Sequence, residues 1–98
     1  MKINFNKNAE TLVVNVEGRL DTMTAPELES FLNANLSGVD SLTIDCEKLE
    51  YVSSAGLRVL LSAQKKMQQI GTMKVINVCD DVMEIFEMTG FADILTIE

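Results

Sequence analysis

The chain has 98 residues, 47% of them apolar, and carries a formal net charge of −7 with no histidine and no tryptophan. That is enough apolar material for one compact domain over residues 1–98, and too much for a disordered tail. The acidic balance, with no stretch rich in Lys or Arg, argues against direct binding to DNA or RNA, and the lack of histidine removes the usual base at neutral pH and the commonest metal ligand.

Met1-Lys2 leads directly into a strand-like pattern, without the apolar block of a signal peptide, and no apolar run is long enough to enter a membrane. Ile3 to Asn6 alternate in polarity, Asn8-Ala9-Glu10 turns, and Leu12, Val14 and Val16 alternate again, which predicts an antiparallel hairpin. Gly18-Arg19-Leu20-Asp21 ends the second strand. Thr24-Ala25-Pro26-Glu27 has the spacing of a capping box, with Pro in the first turn. The helix it starts carries Leu28, Phe31 and Leu32 on one stripe and ends at Ser37-Gly38. Ser41 to Cys46 is a third strand. A second helix starts near Ser54 and carries Leu57, Leu60, Leu61, Gln64 and Met67, with Ile70 near its end and Gly71 as its stop. Met73 to Val78 is a fourth strand. A short helix from Asp81 to Met88 has Asp80-Asp81 at its positive end and closes at Thr89-Gly90. Ile94 to Ile97 make a last strand.

Strands that alternate with helices after a hairpin predict an α/β fold: a mixed β-sheet covered by helices, in a single domain. Met67, Met73, Met83 and Met88 fall among apolar positions and read as core fillers. Met23, before the first helix, reads as an exposed apolar contact. Cys46 and Cys79 read as reduced core residues of a cytoplasmic protein.

The run Tyr51-Val52-Ser53-Ser54-Ala55-Gly56-Leu57 puts small hydroxyl and glycine residues where a strand turns into a helix. Backbone N–H groups at a helix start lack intrahelical partners, so a serine there is a cap, an anion binder or a site for a phosphoryl group. In the plainest case Ser53 or Ser54 caps the helix and Gly56 permits close packing. In the functional case a phosphate on Ser54 meets the positive end of the helix and adds about 1.5 to 2 negative charges to one corner. Catalysis finds less support. A nucleophilic serine needs a positioned base, and Lys65 and Lys66 lie roughly 15 Å from Ser54 along the helix. Glu47 and Glu50, and Asp80 and Asp81, read as solvated loop and cap residues, and no nucleotide-type glycine loop occurs. The chain is therefore expected to be no enzyme and to carry no cofactor or metal.

Gly18-Arg19-Leu20-Asp21-Thr22-Met23-Thr24-Ala25-Pro26-Glu27-Leu28 resembles the first signature of STAS domains. Tyr51-Val52-Ser53-Ser54-Ala55-Gly56-Leu57-Arg58-Val59-Leu60 resembles their second, and the Met88-Thr89-Gly90-Phe91 segment also fits. The resemblance covers nearly the whole chain and is strongest to the bacterial anti-sigma factor antagonists. It implies a partner that is both anti-sigma factor and serine kinase. The unmodified antagonist binds that partner and frees a sigma factor, phosphorylation releases it, and a PP2C-type phosphatase resets it. Aligned on Gly56-Leu57, the modified serine of the family falls on Ser54, its Ser/Thr position on Ala55, and its usual aspartate on Ser53. Ser53 is thus a second acceptor candidate, and its departure from the pattern leaves open a member without a switch.

The resemblance further implies partner contacts at Asp21, Thr22 and Met23 together with Ser53, Ser54, Ala55, Gly56, Leu57 and Arg58, in a monomer or weak dimer. An alternative role is a STAS scaffold or assembly subunit of a signalling or lipid-transport complex. A nucleotide- or small-ligand-binding sensor is a third reading, without a phosphate loop to support it.

Overall fold

A computed structural model describes residues 1–98. Two strands open the chain, β1 (Lys2–Asn8) and β2 (Thr11–Leu20), followed by helix α1 (Ala25–Asn35). Then come β3 (Ser41–Asp45), β4 (Leu49–Val52), α2 (Ser54–Ile70), β5 (Thr72–Ile76) and α3 (Asp80–Thr89). The sheet runs β1-β2-β3-β5, and β1 pairs antiparallel with β2 from Lys2↔Glu17 to Asn8↔Thr11. All other pairs are parallel. The α/β architecture with an N-terminal hairpin is therefore as the alternating pattern predicts.

β2 organises the sheet because it is long enough to serve two neighbours in succession. Its first half, Thr11 to Asn15, pairs with β3, and its last residues, Gly18 to Leu20, pair with β4 after a register shift at Gly18/Arg19. β3 and β4 thus lie end to end beside one strand. β4 is absent from the sequence-based order. Its four residues follow the charged run Asp45-Cys46-Glu47-Lys48, and a strand that short shows too little alternation to announce itself.

The predicted strand Ile94 to Ile97 is corrected in the other direction. Phe91–Asp93 form a 3₁₀ turn, and Leu95 N–H donates to Phe91 C=O at 2.9 Å. Only Val75↔Ile97 remains as a single parallel bridge. The local turn consumes the backbone groups that a longer strand would need.

The core is one cluster of 24 buried apolar residues between sheet and helices. Along α2 the buried residues are Gly56, Leu57, Val59, Leu60, Ala63, Gln64 and Met67. Leu61 is only half-buried and Ile70 is exposed, so the real inward stripe turns through Val59 and Ala63 instead. Met67 and Met73 are buried as expected and Met83 is half-buried. Met88 is a correction: it is 79% exposed, because it follows Phe86 around the last turn of α3 to the outer face. Cys46 is buried and free, Cys79 half-buried and free. Burial, with Asp45 and Cys79 adding to it, pushes the Cys46 thiol up to about 12, so it stays protonated and inert.

Candidate functional site

The end of β2 and the end of β4 leave the sheet together. Leu20 pairs with Val52, and Ser53 N–H donates to Leu20 C=O at 2.9 Å. The loop that follows β2 and the turn that starts α2 therefore form one corner at the C-terminal edge of the parallel strands. Such edges are where open α/β sheets commonly expose their working loops.

On the loop side, Asp21 organises the turn that leads into α1, and Thr24 does not make the side-chain cap that its spacing predicts. Asp21 Oδ1 accepts from Met23 N–H at 3.0 Å and from Thr24 N–H at 3.2 Å. Thr24 stands at the N-cap position of α1 but makes no side-chain cap bond. Its hydroxyl points back instead, accepting from Asp21 N–H and donating to Arg19 C=O, both at 2.8 Å. The expected capping box is thus replaced by an aspartate-centred turn, because the loop folds over onto the end of β2.

Partial desolvation of the Asp21 carboxyl acts to raise its pKa. The hydrogen bonds from Thr24 and Met23 N–H and the Thr24 hydroxyl, with the nearby Arg19 charge, outweigh it and hold the pKa below the ordinary value. Arg19 spans the corner. Its guanidinium lies 4.3 Å above the Tyr51 ring on β4, while Nε is 3.9 Å from Asp21 Oδ2. Met23 sits at the loop tip, 86% exposed.

On the helix side, the two serines are not equivalent. Ser53 is extended, with φ −91° and ψ 175°, and takes the N-cap position. Its Oγ accepts from Gly56 N–H at 3.4 Å, a long bond, and Leu57 N–H donates to Ser53 C=O at 2.9 Å. Ser53 is half-buried and Ser54 is exposed. The Ser54 hydroxyl makes no hydrogen bond within the protein, while Ser54 and Ala55 occupy the first turn, whose N–H groups have no carbonyl to meet.

Gly56 and Leu57 are buried. A Cβ on Gly56 would stand 2.7 Å from Leu20 Cγ and 2.8 Å from Leu20 O, so only glycine lets α2 lie this close to β2. Of the residues expected to meet a partner, these two support the corner from inside. Thr22, Met23, Ser54 and Arg58 are exposed, with Asp21, Ser53 and Ala55 half-buried. Thr22, Ala55 and Arg58 share one shallow depression of about 190 Å³ with Pro26 and Glu29 of α1. The two sequence segments are thus brought into one surface.

Arg19, Tyr51, Pro26 and Glu29 were not singled out from the sequence as parts of this corner. Pairing of β2 with β4 is the signal that joins Arg19 to Tyr51, and β4 was not visible in the pattern. Lys65 and Lys66 take no part: Lys66 Nζ donates to Asn33 Oδ1 of α1 at 2.6 Å.

Comparison with known proteins gives consistent results. The family described as the Mlab STAS domain matches residues 3–96. BtrV of Bordetella bronchiseptica, a candidate anti-sigma factor antagonist, is 32% identical over 99 residues, which span 99% of this chain and 85% of that one. The anti-sigma-B factor antagonist of Staphylococcus aureus is 30% identical over 101 residues, 95% of this chain and 94% of the other. The Bacillus cell fate determinant SpoIIAA in its phosphorylated form superposes with a TM-score of 0.76 at 16% identity, covering 99% of this chain and 91% of that one. At that identity the likeness speaks for the fold.

Proposed function

The chain belongs to the STAS domain family and, within it, to the anti-sigma factor antagonists, and on that premise we propose that it works by partner switching at Ser54. The unmodified corner docks on an anti-sigma factor that is also a serine kinase, and a sigma factor is freed. The kinase then transfers the γ-phosphoryl group of a nucleoside triphosphate to Ser54. A bond forms between Ser54 Oγ and phosphorus, the bond to the diphosphate leaving group breaks, and the hydroxyl proton passes to the kinase. The modified protein lets go, and a PP2C-type phosphatase hydrolyses the phosphoserine. The chain itself performs no catalysis in this cycle, which runs in the cytoplasm.

One observation carries the choice of serine. Ser54 is exposed with a free hydroxyl, whereas Ser53 is half-buried and its Oγ is engaged in capping. A phosphoryl group on Ser54 would sit at the positive end of α2 beside unpaired N–H groups, a placement the fold tolerates. It would add about 1.5 to 2 negative charges to a chain already at −7. A partner seated over Thr22, Met23 and Arg58 would meet both the bulk and the charge.

Incubation with the cognate kinase and ATP, followed by phosphopeptide mapping, should place a single phosphate on Ser54. Ser54→Ala should bind the partner and resist modification. Ser54→Asp should weaken binding at least about tenfold, roughly 1.4 kcal/mol, with the melting temperature nearly unchanged. Full binding by Ser54→Asp would defeat the switch. Ser53 in the place of the family's usual aspartate supports a second reading, an assembly subunit without a switch. A large constitutive complex in pull-downs from the native cell, with Ser54 unmodified, would establish it.

A further inference from the structure

The charges of α2 are all of one sign. The helix carries Arg58, Lys65 and Lys66 and no carboxylate, in a chain with 15 acidic and 8 basic side chains. Its first turn therefore lacks the acid that the positive end of a helix favours. The first charge met along α2 is instead the cation of Arg58, which belongs to neither salt bridge of the chain: those are Arg19–Asp21 and Lys48–Glu17.

Ser54 and Arg58 are four residues apart on the outward face of α2, and both are exposed. That spacing separates them by about 40° around the axis and leaves roughly 5 to 6 Å between their Cβ atoms. Side chains on a helix lean toward its N-terminus, so a residue covers the turn before its own Cα. Arg58 thus covers the turn that begins at Ser54. For an ion pair four residues apart, anion first and cation second is the favourable order. The unmodified helix has the second member of such a pair and lacks the first.

The other cations nearby are engaged or too far away. Arg19 is held by the Tyr51 ring and Asp21, and Lys66 by Asn33 of α1. Lys65 shares the outward face but stands about 16 Å from Ser54 along the axis. The acids at this corner are Asp21 of the loop and Glu29 of α1, which shares a depression with Arg58 without pairing to it. Both would repel a phosphoryl group. On the reading that Ser54 is the modified serine, we propose that Arg58 is the counter-ion of the phosphoserine, its guanidinium folding back over the first turn to donate two N–H groups to the phosphoryl oxygens. A planar fork suits that bidentate contact. The consequence bears on release. A partner on the unmodified corner meets Arg58 as a free cation, and after modification the same cation is occupied within α2. One charge is added to the docking surface and another is withdrawn from it.

The test uses the full chain with phosphoserine installed at position 54 by genetic encoding, so that no kinase is needed. Phosphorus NMR at low salt follows the phosphate through its second ionisation, ordinarily near pH 6. A neighbouring cation favours the dianion, so the midpoint should lie lower in the parent than in Arg58→Ala, by on the order of 0.3 pH unit. Arg58→Lys should recover part of the difference, since it keeps the charge and loses the fork. Lys65→Ala should titrate as the parent does. The Arg58 Nε–H resonance should move as the phosphate ionises. The same midpoint in the parent and in folded Arg58→Ala, an equal change in Lys65→Ala, or an Nε–H signal indifferent to the phosphate would each overturn the assignment. Because the phosphate is placed without an enzyme, a chain that no kinase modifies would sink the switch and still leave the role of Arg58 to be read.

Discussion

The two ends of α2 are held by opposite means. At its C-terminal end the chain is clamped between backbone atoms. Gly71 N–H donates to Met67 C=O at 2.7 Å, Thr72 N–H to Asp40 C=O at 2.9 Å, and Asp40 N–H to Glu10 C=O at 2.9 Å. A Cβ on Gly71 would collide with the backbone carbonyl of Asp40. At the N-terminal end the backbone is anchored below, through Ser53 N–H to Leu20, but the first turn is left open above. One end fixes the helix on the sheet. The other presents a hydroxyl and spare N–H groups above a strand end that is hydrogen-bonded and closely packed.

Four changes probe that difference, in order of expected size. Gly71→Ala should be the most damaging, destabilising the fold by about 3 kcal/mol in urea unfolding, since the clash is with backbone that has nowhere to move. Gly56→Ala should cost about 2 kcal/mol, because Leu20 can shift its side chain but not its carbonyl. A melting temperature within a degree of the parent for either variant would contradict the close approach it tests. Ser53→Ala should cost about 0.5 to 1 kcal/mol, the low side for a cap because the bond to Gly56 is long.

The smallest effect should come from acid. The folded pKa of Asp21 lies below its ordinary 3.8. Its contribution to stability is therefore present above that value and is lost as pH falls through the lower folded one. Unfolding midpoints followed down through this range should show the loss, and Asp21→Asn should flatten it.

Much of this architecture was legible from residue pattern alone, for reasons the structure makes plain. The bounds of α2 are sharp in the sequence because a serine turn starts it and Gly71 stops it, and the helix runs from Ser54 to Ile70 as expected. The hairpin was clear because both strands alternate. β4 was hidden because it is recruited by the overhanging end of β2, a long-range fact that four residues cannot carry. Thr24 misled because capping-box spacing is local, while the loop geometry is set by Asp21 and by contact with Arg19. Ile94 to Ile97 has strand composition, yet the turn at Phe91 claims its backbone first.

At the candidate site, the motif located the corner, but exposure could not be read from it. Ser53 and Ser54 are adjacent identical residues, and only the backbone conformation at the strand end separates the engaged hydroxyl from the free one. Gly56 and Leu57 belong to the same motif for a packing reason.

Leu20 has a wider consequence. It receives Ser53 N–H on its carbonyl, and its side chain lies directly beneath Gly56. The Ser54 oxygen, by contrast, faces solvent, away from that filled floor. On the proposed switch, a phosphoryl group there would therefore alter the skin of the molecule and leave the packing under Gly56 as it is.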